Sequence, residues 1–133
     1  MADRVERQQV TVETAGGALE LVVMVRKVER RHEPAPALLG GDRIGIEAEI
    51  EVMERDDQKG PTYFVSRLTG ETDWIIDAKF GANGFPHYSH GFGSRVTIAR
   101  GLPDEICDVL DNEAKNRGMV RTIGRGTPLQ LAG

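Results

Sequence analysis

Cysteine is nearly missing from this sequence. Cys107 is the only one in 133 residues, so no disulfide can form within the chain, and the near-absence of thiols points to a reducing compartment. Aromatic residues are also scarce, at 5%. No stretch approaches the ~18 consecutive apolar residues of a membrane-spanning helix. The first nine residues, Met1 to Gln9, lack the apolar centre of a secretory signal. The expectation is a cytoplasmic protein with no membrane partner. Basic residues are in deficit, 17 against 21 acidic, for a net charge of −4. That balance provides no general field for attracting phosphate backbones, so nucleic-acid binding is disfavoured. Residues 114–133 hold Lys115, Arg117, Arg121 and Arg125 and no acid. Residues 118–133 therefore read as a basic tail on an acidic body.

What is present suits one folded domain, expected over residues 1–133. The 39% hydrophobic and 29% charged residues are ordinary globular usage. A chain of this length can bury roughly two-thirds of its unfolded surface. Neither metal nor cofactor is needed to hold such a core, and none is expected.

Alternating apolar and polar residues mark the strands. Val10 and Val12 alternate with Thr11 and Glu13, and residues 15–18 supply a Gly-containing turn. Leu19, Leu21, Val23 and Val25 then face one side of a strand, with Val22, Met24 and Val28 on the other, which suggests a central position. Residues 29–43, with Arg30-Arg31-His32, two prolines and Gly40-Gly41, read as a long connection. The clearest period-2 run places Ile44, Ile46, Ala48, Ile50 and Val52 on one face and Glu47, Glu49 and Glu51 on the other. Turn chemistry at 56–61 leads to a strand over 63–68. Thr72 to Phe80 follows, with Trp74, Ile76 and Ala78 against Asp73, Asp77 and Lys79. Arg95 to Ala99 reads as a last full strand.

One helix is specified at both ends. Pro103, Asp104 and Glu105 suit its start, Lys115 and Arg117 its last turn, and Gly118 its close. Ile106, Val109, Leu110 and Ala114 form its apolar stripe, with Cys107 packing on the flank as a small hydrophobe. Met119 to Ile123 is expected to add an edge strand. The predicted class is α+β: a curved antiparallel sheet or small open barrel of about six to seven strands with one C-terminal helix.

The main anomaly is segment 80–93, FGANGFPHYSHGFG. It holds four of the seven aromatics, two of the three histidines and four glycines. Glycine permits close backbone approach, Phe and Tyr offer flat apolar area, and His can orient a polar ligand. The segment therefore reads either as a plug over one end of the sheet or as a binding loop. In the binding case Phe85, His87, Tyr88, His90 and Phe92 contact the ligand, and Arg95, Arg121 and Arg125 meet an anionic one. The leading expectation is a non-enzymatic module that binds a small ligand or a protein partner, with self-association as a further expectation.

The alternative is a metal-independent isomerase, cyclase or lyase in which Asp77 with His87 or His90 serves as acid and base. A metal site is disfavoured because two histidines at i, i+3 lack the third and fourth ligands zinc needs. A third reading is an inhibitor or accessory subunit that docks on a larger enzyme through the acidic 47–51 stripe.

Overall fold

A computed structural model describes residues 7–14, 16–54, 59–84, 86–87 and 102–132. The strands are β1 (Arg7–Thr14), β2 (Gly17–Glu33), β3 (Arg43–Met53), β4 (Thr62–Leu68), β5 (Ile75–Phe80) and the two-residue β6 (Pro86–His87). They form one sheet in the order β1-β2-β3-β4-β5-β6, with every described pair antiparallel. Each strand pairs with its successor because turns join them in sequence, which is the least costly way to close antiparallel ladders. β1 and β6 form the two edges of this sheet, which is not a closed barrel. The helix α1 (Asp104–Asn116) and the short pair β7 (Val120–Thr122) and β8 (Gln130–Leu131) complete the described architecture, an α+β arrangement.

The core occupies one face of the sheet. Val10, Val12, Leu21, Val23, Val25, Ile46, Ile50, Tyr63, Val65 and Ile76 pack there against Ile106, Cys107, Leu110 and Ala114 of α1. Fully burying one such aliphatic side chain is worth roughly 1.5–3 kcal/mol, so the period-2 strands and the 3.6-period helix stripe reinforce each other. Pro103 caps α1, Asp104 and Glu105 lie in its first turn and Lys115 in its last. Gly118 follows the C-cap at φ 72°, a left-handed conformation that favours glycine.

Several expectations need correction. The connection expected over 29–43 is shorter, because β2 continues to Glu33 in register with Arg43. The charged run Arg30-Arg31-His32 is strand, since the ladder with β3 satisfies its backbone regardless of side-chain polarity. Arg26 is an extra residue between the pairs Val25–Ile50 and Lys27–Glu49. This bulge resets the alternation, so Val28 shares the core face with Val25 and does not join Val22 and Met24. A second irregularity makes Asp77 the extra residue between Ile76 and Ala78, opposite Val65 and Phe64. Lys79 consequently lies in register with core-face Tyr63, and Asp77 and Lys79 do not share a polar face. The strand over 119–123 pairs with β8 in its own small sheet and is not an edge of the main one. The strand expected over 95–99 lies outside the described residues.

Candidate functional site

Two polar regions are built on the two faces of the sheet. The first is sealed beneath α1. Arg67, whose side chain is 1% exposed, lies 3.6 Å from Asp111. It also donates to the carbonyls of Gly124 (3.0 Å), Thr127 and Glu71 (3.4 Å). Trp74 Nε1 donates to Asp111 Oδ1 at 2.7 Å. Burial pushes the Asp111 carboxyl above its ordinary value, against the opposing pull of Trp74 and Arg67. Cys107 Sγ lies 3.2 Å from Asp73 Oδ1, and burial together with that carboxylate drives the thiol far up from its usual value. A thiol in such a setting stays protonated and is a poor nucleophile. Here the buried polar groups secure the 124–127 segment to the sheet.

The second region lies on the opposite face, where β2, β3, β4 and β5 frame a groove of about 450 Å³. Ligand sites fall in the range of roughly 300–1,000 Å³. Glu47 and Glu49 project from β3, Lys27, Glu29 and Arg31 from β2, Phe64 from β4 and Asp77 from β5. Two of the lining bases have acid partners, Arg31 at 2.7 Å from Asp77 and Lys27 at 3.1 Å from Glu29, while Arg30, also in the lining, donates to the Ala132 carbonyl. Hydrogen bonding and charge from Glu29, with further pull from Glu49 and Glu47, hold Lys27 above its ordinary value. Arg26, freed from the alternation by its bulge, pairs with the buried Glu51 and lies 3.8 Å from Glu49. The Phe64 ring stands in register with Glu49, 37% exposed, with Phe80 edge-on at 5.4 Å. Next along β4, Ser66 faces Glu47 in register, its buried hydroxyl without a hydrogen-bond partner.

The residues singled out in the sequence are dispersed. Asp77 lines the groove but its carboxylate is held by Arg31. His87 is in β6, in register with Lys79. Phe85, Tyr88, His90, Phe92 and Arg95 lie outside the described residues. Arg125 meets Asp104 at 2.8 Å and Asp108 at 3.2 Å. Arg121 is exposed on β7. The structure brings neither of these two arginines to the groove. Sequence reasoning named Glu47 and Glu49 as one face of a strand but missed Phe64, Lys27 and Arg31. For Lys27 and Arg31 the signal, membership of the same face, is hidden by the Arg26 bulge, whereas Phe64 joins that face through its regular pairing with Glu49.

Among the described residues, no group of three or more His, Cys, Asp or Glu side chains is disposed to hold a metal ion, and no helix is long and apolar enough to cross a membrane. No family model, curated protein or solved structure matches the chain, so the geometry of its own residues is what bears on function.

Proposed function

We propose that this chain is a non-enzymatic binding module whose acid-rich sheet face receives a basic group of a protein partner. The observation that carries this reading is the charge arrangement of the groove. Lys27 and Arg31 are matched by Glu29 and Asp77, Glu49 lies 3.8 Å from Arg26, and Glu47 remains without an ion-pair partner among the described residues, near an exposed aromatic ring. A carboxylate next to a Phe face suits a guanidinium or ammonium, which gains an ion pair and a cation–π contact together.

The Arg31–Asp77 bridge also supports a curved sheet. Strands β2 and β5 are three ladder spacings apart, roughly 14 Å on a flat sheet at about 4.8 Å per spacing. Contact at 2.7 Å follows if the sheet curls toward the groove, and the bulges at Arg26 and Asp77 supply that bend. The Gly- and aromatic-rich 80–93 segment continues from β5, the strand that carries Asp77, and is proposed as a second contact with the partner. A larger enzyme capped by this chain as an inhibitor or accessory subunit is one such partner. The acid–base alternative draws no support from Asp77, which is engaged with Arg31.

Calorimetric titration with a tetra-arginine peptide tests the reading. Binding is expected to weaken steeply with salt, to fall tenfold or more in the Glu47→Gln/Glu49→Gln variant, and to weaken in Phe64→Ala. Binding unchanged by these substitutions, or no binding at low salt, overturns it.

A further inference from the structure

The turn between β2 and β3 is the most apolar connection in the described chain. Residues 34–41 read Pro-Ala-Pro-Ala-Leu-Leu-Gly-Gly, eight residues without one charged or hydrogen-bonding side chain. A solvent-facing loop ordinarily carries such groups. Leu38 is 98% exposed and Leu39 77%, and Ile44, at the start of β3, is 49% exposed.

This tip is ordered without any contribution from its leucines. Ala37–Leu39 form a 3-10 turn, with Leu39 N and Gly41 N both donating to Pro36 O and Gly40 N to Ala37 O. Gly40 and Gly41 adopt φ 96° and 80°, which favour glycine over other residues. Asp42 Oδ1 accepts from Ala35 N at 2.9 Å, and its Oδ2 lies 3.0 Å from His32 Nε2. These bonds hold the Asp42 carboxyl below its ordinary value. The turn therefore closes on itself and presents two adjacent leucines outward, a preorganised knuckle whose apolar surface has no role within the described chain.

We propose that this knuckle is a self-association surface: two copies of the chain pack tip to tip about a two-fold axis. The charges beside the leucines select a second copy over other occupants. Glu33 and Arg43 are cross-strand partners at the mouth of the turn, in exposed pairs with Arg31 and Glu71 of their own copy at 3.4 Å each, with Asp42 and His32 next to them. An anionic membrane or a nucleic acid meets Glu33 and Asp42 as repulsive neighbours. A two-fold axis instead sets Arg43 of one copy against Glu33 and Asp42 of the other, while leucine meets leucine, the self-complementarity that an isologous contact requires. The contact is small beside the roughly 1,200–2,000 Å² of a stable interface, so the dimer is weak and concentration-dependent. This inference does not rest on the groove.

Sedimentation equilibrium of the full chain, from on the order of 10 μM to 1 mM, tests it. The wild type is expected to move from monomer toward dimer across that range. Leu38→Ser/Leu39→Ser is expected to raise the dissociation constant at least tenfold while leaving the fold, followed by circular dichroism, intact. Arg43→Glu alone is expected to weaken the dimer, and Glu33→Arg/Arg43→Glu to restore it, since the swap re-forms the pair across the axis. A monomer at every concentration overturns the proposal. So does a dimer indifferent to the serine variant, or tip-dependent co-sedimentation with anionic vesicles in place of dimerisation.

Discussion

The same chemistry, arginine with aspartate, serves opposite ends on the two faces of this sheet. Beneath α1, Arg67 and Asp111 are almost fully enclosed, and the described contacts of Arg67 all lie within the chain. Across the sheet, Arg31 and Asp77 are each 27% exposed, in a groove where Glu47 has no ion-pair partner among the described residues. Burial decides the difference. A desolvated charge must be fully partnered, so the enclosed network is a structural clamp. A half-exposed one tolerates an unmatched carboxylate, and a surplus of that kind can serve recognition.

Removing the clamp is expected to have the largest effect. Arg67→Met strands the buried Asp111 and releases the Gly124 and Thr127 carbonyls, at a cost of about 3–5 kcal/mol in denaturant unfolding. The chain's single tryptophan, Trp74, reports the transition directly. Arg67→Met/Asp111→Leu is expected to recover much of the loss, because no lone charge then remains buried. An Arg67→Met protein as stable as wild type contradicts the contrast between the faces.

A steric test comes next. A Cβ on Gly60 would sit 1.7 Å from Val52 O, and Gly60 N donates to Glu51 Oε2 at 3.2 Å. Gly60→Ala is expected to displace this turn and cost about 1–3 kcal/mol, read as a shifted unfolding midpoint.

The third test uses pH. Asp111 has its carboxyl raised by burial, so the folded state binds its proton more readily than the unfolded state does. Stability from this group therefore falls as pH rises from the ordinary carboxylate value of 3.8 through the raised one. Relative to Asp111→Asn, the wild type is expected to gain stability as pH is lowered through that window. A pH-independent difference contradicts it. Smallest of all, Ser66→Ala removes a buried hydroxyl without a partner and is expected to be neutral or slightly stabilising, within about 0.5 kcal/mol.

Much of this framework is legible from residue order. Alternation at 44–52 marks β3 because one face must be apolar, and Pro103, Asp104 and Gly118 mark the ends of α1 because helix termini demand such residues. The bulges at Arg26 and Asp77 are not legible. One inserted residue leaves no compositional trace, yet it moves Val28 and Lys79 to the other face and brings Arg26 and Asp77 into the groove's ionic network. The clamp is equally silent: Arg67 sits among β-formers as an ordinary polar residue, and only tertiary packing against Asp111 and the 124–127 segment reveals it. The groove was half visible, through Glu47 and Glu49. Their neighbour Arg31 falls in a stretch whose composition reads as a connection but whose backbone is strand.

The central claim is that the carboxylates of the groove face, Glu47 above all, receive a basic group. Its most direct measurement is a titration of isotopically labelled protein with tetra-arginine, followed residue by residue in amide NMR spectra. The account predicts salt-sensitive shifts confined to residues around 27–31, 47–49, 64 and 77, abolished by Glu47→Gln/Glu49→Gln. Shifts centred instead on the exposed acids of α1, Asp104 and Asp108, or no shifts at low salt, contradict it.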